Sequence, residues 1–198
     1  MTQTLEGKRQ KLAVVASHLA AHPRLLRLAT SLAKGFKPTV AASLQRAQQL
    51  AYWLYVYEHR DLCLQVCRLL NDVPFEQDYN RWTWVELTLA LEWKLRSEAG
   101  EGAAAQACLA IMQAAAAQGE PSMQRIKAAA MQHRLSGVFL RSQEIAEAER
   151  CGDRASARTY RFLKLGELLF LQAHGGSDKF HMNALDQEAT AQLTALRA

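Results

Sequence analysis

Little in this chain of 198 residues breaks a helix or staples one. Proline occurs four times, and Pro23, Pro38 and Pro121 all stand where helical patterns begin. Alternating runs of β-branched and aromatic residues are missing, which excludes a sheet-based fold. The four cysteines form no disulfide framework. Cys63 and Cys67 lie one helical turn apart in an apolar stretch, and Cys108 and Cys151 stand alone, so a reducing compartment is expected. No apolar run reaches the ~20 residues of a membrane span. The longest uncharged stretch, 102–119, is mostly alanine and glutamine. The weakly apolar segment 12–21 follows Lys8, Arg9 and Lys11, but His18 interrupts it and it falls short of a signal-peptide core. The expected location is the cytoplasm.

What is abundant points one way. Alanine and leucine supply about a third of the residues, and both are strong helix formers. Helical periodicity is expected over 5–21, 23–34 (with Gly35 as a C′ residue), from Pro38 to about 57, and over 61–71. It resumes over 81–98, from Gly102 to 119, over 121–150 and 154–174, and from Ser177 or Asp178 onward. Segment 71–80, with Pro74 and three acidic residues, reads as a loop. The fold class is all-α, with about nine helices.

A coarse repeat runs through these elements: helix, tight turn, helix, proline-marked loop, with turns near Arg60, Gly100 and Gly152. The spacings of 40 and 52 residues are too uneven for tetratricopeptide repeats, whose period is about 34. Segments 57–74 and 152–160 nevertheless resemble the second half of such a repeat. The expected architecture is a single domain, 1–198, of stacked antiparallel helical hairpins, tetratricopeptide-like but irregular. It comprises a basic N-terminal helical arm (1–35), the hairpins (38–174) and a C-terminal helix (177–198). An irregular helical bundle is the alternative.

Net charge is +5, and its distribution is polarised. Residues 1–50 carry eight basic side chains against Glu6, whereas 51–100 carry five basic and eight acidic. The basic arm (Lys8, Arg9, Lys11, Arg24, Arg27, Lys34, Lys37, Arg46) could meet phosphates. A helix-turn-helix across Gly35 fails because its recognition helix would run into Leu50-Ala51-Tyr52-Trp53-Leu54, which must be buried. Solvated positive charge is the simpler reading.

Motifs for chemistry are missing in turn. His59, Cys63 and Cys67 share a helical face but lack a fourth zinc ligand, and their apolar flanks suit neutral buried thiols. His18 and His22 are spaced i, i+4 without the glutamate of a zinc-protease motif. The stretch from His174 through Gly175, Gly176 and Ser177 reads as one helix end beside the next cap, not as a phosphate loop. There is no nucleophile elbow. No metal, cofactor or catalytic residue is therefore assigned, and an enzyme remains only as one whose site carries no motif.

The densest feature is aromatic. All four tryptophans, four of the five tyrosines and Phe75 fall between positions 52 and 93, among acidic residues from Glu58 to Glu92. On the two helices these rings read first as core. In the loop they read as interface anchors, because tryptophan and tyrosine are enriched there. The candidate partner-binding residues are Phe75, Glu76, Asp78, Tyr79, Arg81 and Trp82.

The runs Leu50-Ala51-Tyr52-Trp53-Leu54-Tyr55 and Val66-Cys67-Arg68-Leu69-Leu70 carry a resemblance. Phe75 and Tyr79-Asn80-Arg81-Trp82-Thr83-Trp84-Val85-Glu86 extend it. Over residues 51–98, about a quarter of the chain, the sequence resembles small bacterial all-helical proteins of the toxin-immunity type. The resemblance implies a cytosolic, non-enzymatic module that neutralises a cognate antibacterial toxin, and it transfers no catalytic residue. The expected function is protein binding of this kind, and self-association is compatible with it. The alternatives are a nucleic-acid-associated regulator using the basic arm and an enzyme with an unrecognised site.

Overall fold

A computed structural model of the chain describes residues 4–75, 79–117, 121–174 and 179–198, and the side chains of all of these except 116, 121–131 and 179–181. Among the described residues there are nine α-helices and no strand. They are α1 (Leu5–Ser17), α2 (Pro23–Gly35), α3 (Ala41–Val56), α4 (Arg60–Leu70), α5 (Tyr79–Glu98), α6 (Gly102–Ala117), α7 (Pro121–Arg150), α8 (Arg154–His174) and α9 (Lys179–Arg197). The all-α expectation holds. No described helix is long and apolar enough to cross a membrane.

Helix ends follow local chemistry, with three departures from the pattern. Thr4 caps α1 by accepting a hydrogen bond from the Gly7 N–H at 3.1 Å, and Pro23 occupies the first position of α2. α1 stops at Ser17, not near residue 21, because the chain turns there to bury Leu19 completely. His18 and His22 therefore do not share a helix. Gly35 is the last helical residue of α2 rather than a left-handed one, and the extended residue after it, Phe36, goes wholly into the core. Pro38 lies in a turn closed by the Val40 N–H on the Lys37 carbonyl, three residues ahead of α3.

The repeat seen in the sequence is a repeated turn. Tyr57-Glu58-His59, Ala99-Gly100-Glu101 and Cys151-Gly152-Asp153 each close a hairpin with the same pair of bonds. The third residue's N–H reaches back to Leu54, Arg96 or Ala148 at 2.8–2.9 Å, and the middle residue's N–H reaches Tyr55, Ser97 or Glu149 at 3.0–3.1 Å. The middle residue is left-handed in all three, with φ of 64° at Glu58, 74° at Gly100 and 72° at Gly152. Glycine takes that conformation freely and glutamate does so under strain.

Successive helices pack as hairpins (α1 with α2, α3 with α4, α5 with α6, α7 with α8), and α9 adds to α8. α3, α5 and α8 form the centre. In a regular array the first helix of each hairpin would line the centre, but the fourth hairpin presents its second helix, α8, to α5. The sequence supplies the reason: in α8, residues 164–166 and 168–172 are buried, whereas α7 has one face that carries no such load. Tyr52, fully buried on α3, donates to the Leu87 carbonyl of α5 at 2.9 Å. Gly166 of α8 lies against the same ring.

Much of the charge polarity is spent internally. Lys8 is 4% exposed; its ammonium donates to the Leu69 carbonyl at 2.7 Å and pairs with Asp72. Arg9 donates to the Phe36 carbonyl, and Arg46 to Ser31. Glu92 is buried against Arg96, with Arg68 and Asn71 beside it. Glu98 pairs with Arg60 and Lys94. Cys63, Cys67 and Cys108 are buried thiols. Burial pushes the Cys67 thiol up, and burial beside Glu92 pushes Cys108 up to about 12.

Candidate functional site

The residues singled out around the α4–α5 connection divide: α5 begins at Tyr79, inside the segment read as a loop, so Tyr79, Arg81 and Trp82 belong to the helix. Glu76 and Asp78 lie outside the described residues. Trp82 is 3% exposed, and Phe75 meets its ring edge-on at a centroid distance of 5.6 Å. Phe75 and Tyr79 are half-buried against the core. The Tyr79 hydroxyl donates to Glu86 Oε2 at 2.9 Å, and burial with that carboxylate beside it pushes the phenol upward. Arg81 is half-buried. The structure thus brings Phe75 and Trp82 together as packed rings, with Tyr79 half-buried against the core at the start of α5. Of the other aromatics in the crowded window, Tyr52 and Tyr55 are buried, Trp53, Trp84 and Trp93 are half-buried, and Tyr57 is exposed.

Among the described residues, the most exposed large apolar side chain lies elsewhere, on α7. Side chains three and four apart share a helix face, and the described part of α7 divides into two such faces. The inner one is Arg134, Gly137, Val138, Arg141, Glu144, Ile145 and Ala148. Arg134 donates to Thr83 Oγ1 at 2.6 Å and lies 4.5 Å from the centroid of the Phe170 ring. Gly137 has no side chain because the Glu167 carboxylate fills that space: a Cβ there would come within 2.7 Å of it. Burial pushes the Glu167 carboxyl up, while Arg141 and Arg134 pull it down.

The outer face is Gln132, Leu135, Ser136, Phe139, Leu140, Gln143, Ala146 and Glu147, every one of them exposed. Phe139 is 73% exposed and Leu140 46%. From Gln132 to Ala146 this face carries no charge, whereas an outer helix face is ordinarily rich in it. Leu140 and Gln143 also border a groove of about 430 Å3 that runs beside the α7–α8 turn to Tyr160. The charged side chains lining that groove are Glu144, Glu147 and Asp153, with no lysine or arginine. Arg150 holds Glu147 below the usual carboxylate range, and the bonds from Ser156 do the same for Asp153. Glu147 and Asp153 therefore stay ionised at neutral pH. Cys151 beside them is a poor nucleophile, since its bond to Glu147 raises its pKa. An apolar ridge with an acidic rim can hold a complementary surface.

A family model matches residues 4–198, and its description is a family of unknown function, DUF6707. The chain belongs to this family. No curated protein and no solved structure matches the chain. Family membership over nearly the whole length means that α7 and its bare face lie within the matched region.

Sequence reading passed over this face because 121–150 reads as one long helix whichever side is covered. The signal was present as Gln132-x-x-Leu135-Ser136-x-x-Phe139-Leu140-x-x-Gln143, an uncharged stripe at helical spacing. Among the described residues no three His, Cys, Asp or Glu side chains group as a metal ion would need. His59 is the N-cap of α4, its ring edge-on to His22 at 5.0 Å.

Proposed function

We propose that this chain is a non-enzymatic protein-binding module whose docking surface is the outer face of α7. The observation that carries the reading is Phe139, 73% exposed in a stripe without charge. Contiguous exposed apolar surface is rare on monomeric proteins and marks interaction sites. The acidic rim of the adjoining groove selects the partner: a segment with a large apolar side chain for the groove and basic residues flanking it. The partner class is the one implied by the resemblance of residues 51–98, an antibacterial toxin held inactive by occlusion.

The test is co-expression with each product of the adjacent genes, followed by mass determination of the purified species. The expected result is a stoichiometric complex with one of them, relief of that partner's toxicity, and loss of both on Phe139→Ser. Two results overturn the reading: a complex that Phe139→Ser leaves intact, or a homodimer dissolved by Phe139→Ser, which would assign the face to a second copy.

A further inference from the structure

A second concavity, of about 760 Å3, lies between α2, the end of α3 and the start of α8. It shares no lining residue with the groove beside α7. Its construction begins with the left-handed turn at Glu58, which leaves Tyr57 at the surface. His22 packs on Tyr57 at a centroid distance of 4.8 Å, and Trp53, one turn earlier, stacks on Phe162 at 4.5 Å. Arg158 of α8 lies 5.2 Å from the Trp53 ring centroid and donates to the Tyr57 hydroxyl at 3.1 Å.

From α2 come Arg24 and Arg27, both exposed. No carboxylate lines this cleft, and among the described residues none of its three arginines forms an ion pair. α2 starts on His22 and Pro23 with no side-chain cap, and Arg24 and Leu25 of its uncapped first turn line the cleft. Three guanidinium groups, a helix N-terminus and an aromatic wall converge on one space.

We infer that this cleft binds a small aromatic anion of the mononucleotide class. Guanidinium groups and helix N-termini both favour phosphate. Tyr57, packed between His22 and Trp53 yet 37% exposed, lines the cleft and offers its uncovered aromatic surface to a planar base. The volume falls within the roughly 300–1,000 Å3 of small-molecule sites. A nucleic-acid strand fits less well, because a continuous basic track is missing: Lys8 and Arg9, the neighbouring cations of the arm, are bound internally to Asp72 and the Phe36 carbonyl.

Calorimetric titration of the full chain with adenosine monophosphate, inorganic phosphate, adenosine and a short single-stranded oligonucleotide tests this. The monophosphate is expected to bind about tenfold more tightly than phosphate or adenosine alone. Arg158→Gln and Arg27→Gln, on half-buried and exposed side chains, are each expected to weaken it about tenfold without lowering the melting temperature. Phe139→Ser should leave it unchanged, which separates this site from the protein-docking face. The inference is overturned by absent binding at millimolar monophosphate, by equal affinity for inorganic phosphate, or by arginine variants that bind as the parent does. It is also overturned if the oligonucleotide binds more tightly with a steep salt dependence, the signature of a nucleic-acid surface.

Discussion

α5 and α7 are both long helices without a clean polar face, yet they meet opposite surroundings. α5 touches α3, α4, α6 and α8, and every residue from Val85 to Glu92 is buried, so two full turns are enclosed on all sides. α7 leans mainly on α8 and leaves Leu135, Phe139 and Leu140 in the open. In α5 the second apolar face is covered by the chain itself. In α7 nothing among the described residues covers it. The same amphipathic deficit is thus resolved by folding in one helix and left for a partner in the other.

Cutting into each helix should separate the two cases most sharply. Leu89→Ala in α5 opens a cavity in the fully buried centre and is expected to cost about 4 kcal/mol in denaturant unfolding. Phe139→Ser in α7 is expected to shift stability by less than about 0.5 kcal/mol. A Phe139 cost approaching that of Leu89 would mean that α7 is buried as α5 is.

The enclosed half extends into the basic arm, and Lys8 tests how far. Lys8→Ala removes the buried ammonium that Asp72 and the Leu69 carbonyl share and is expected to cost about 3 kcal/mol. Lys8→Met with Asp72→Leu should recover most of that loss. If Lys8→Ala unfolds at the same denaturant concentration as the parent, the arm is solvated after all.

A gain is expected at the hairpin turns. Glu58→Gly gives the first of the three left-handed turns the residue the other two already have. It should stabilise by about 1 kcal/mol, since the surface ion pair of Glu58 with Arg197 contributes little. The smallest effect is a pH dependence at the α7–α8 contact. The folded Glu167 carboxyl titrates above its unfolded value of 4.5, so its contribution is complete below that value and is lost as pH rises through the folded one. Glu167→Gln should therefore flatten the fall in melting temperature above pH 4.5, and an unchanged slope would assign that fall to other groups.

The helix inventory was legible because alanine, leucine and well-placed prolines leave little alternative, and because Gly100 and Gly152 mark their turns openly. The equivalent turn at Glu58 was visible only as a break in periodicity, since glutamate does not advertise a left-handed backbone. The basic arm misled through Lys8, whose burial depends on Asp72, 64 residues away. The aromatic window was read correctly as core at Tyr52 and Tyr55, because both helices lacked a polar face, whereas Trp82, expected to anchor a partner, is buried at 3% exposure because α5 begins before it and turns it inward. The stripe around Phe139 was visible but its exposure was not, for the complementary reason: periodicity shows that a face is apolar, and only the fold shows which neighbour fails to arrive. The order of α7 and α8 against α5, which decides this, is a property of packing between distant segments.

Hydrogen exchange of the chain alone and in complex with its partner tests the central claim most directly. Amides of α7 across residues 132–147 should gain protection on binding while those around Phe75 and Tyr79 stay as they were. Protection confined to the α4–α5 connection, with α7 unchanged, would contradict the account and return the docking site to Phe75, Tyr79 and Trp82.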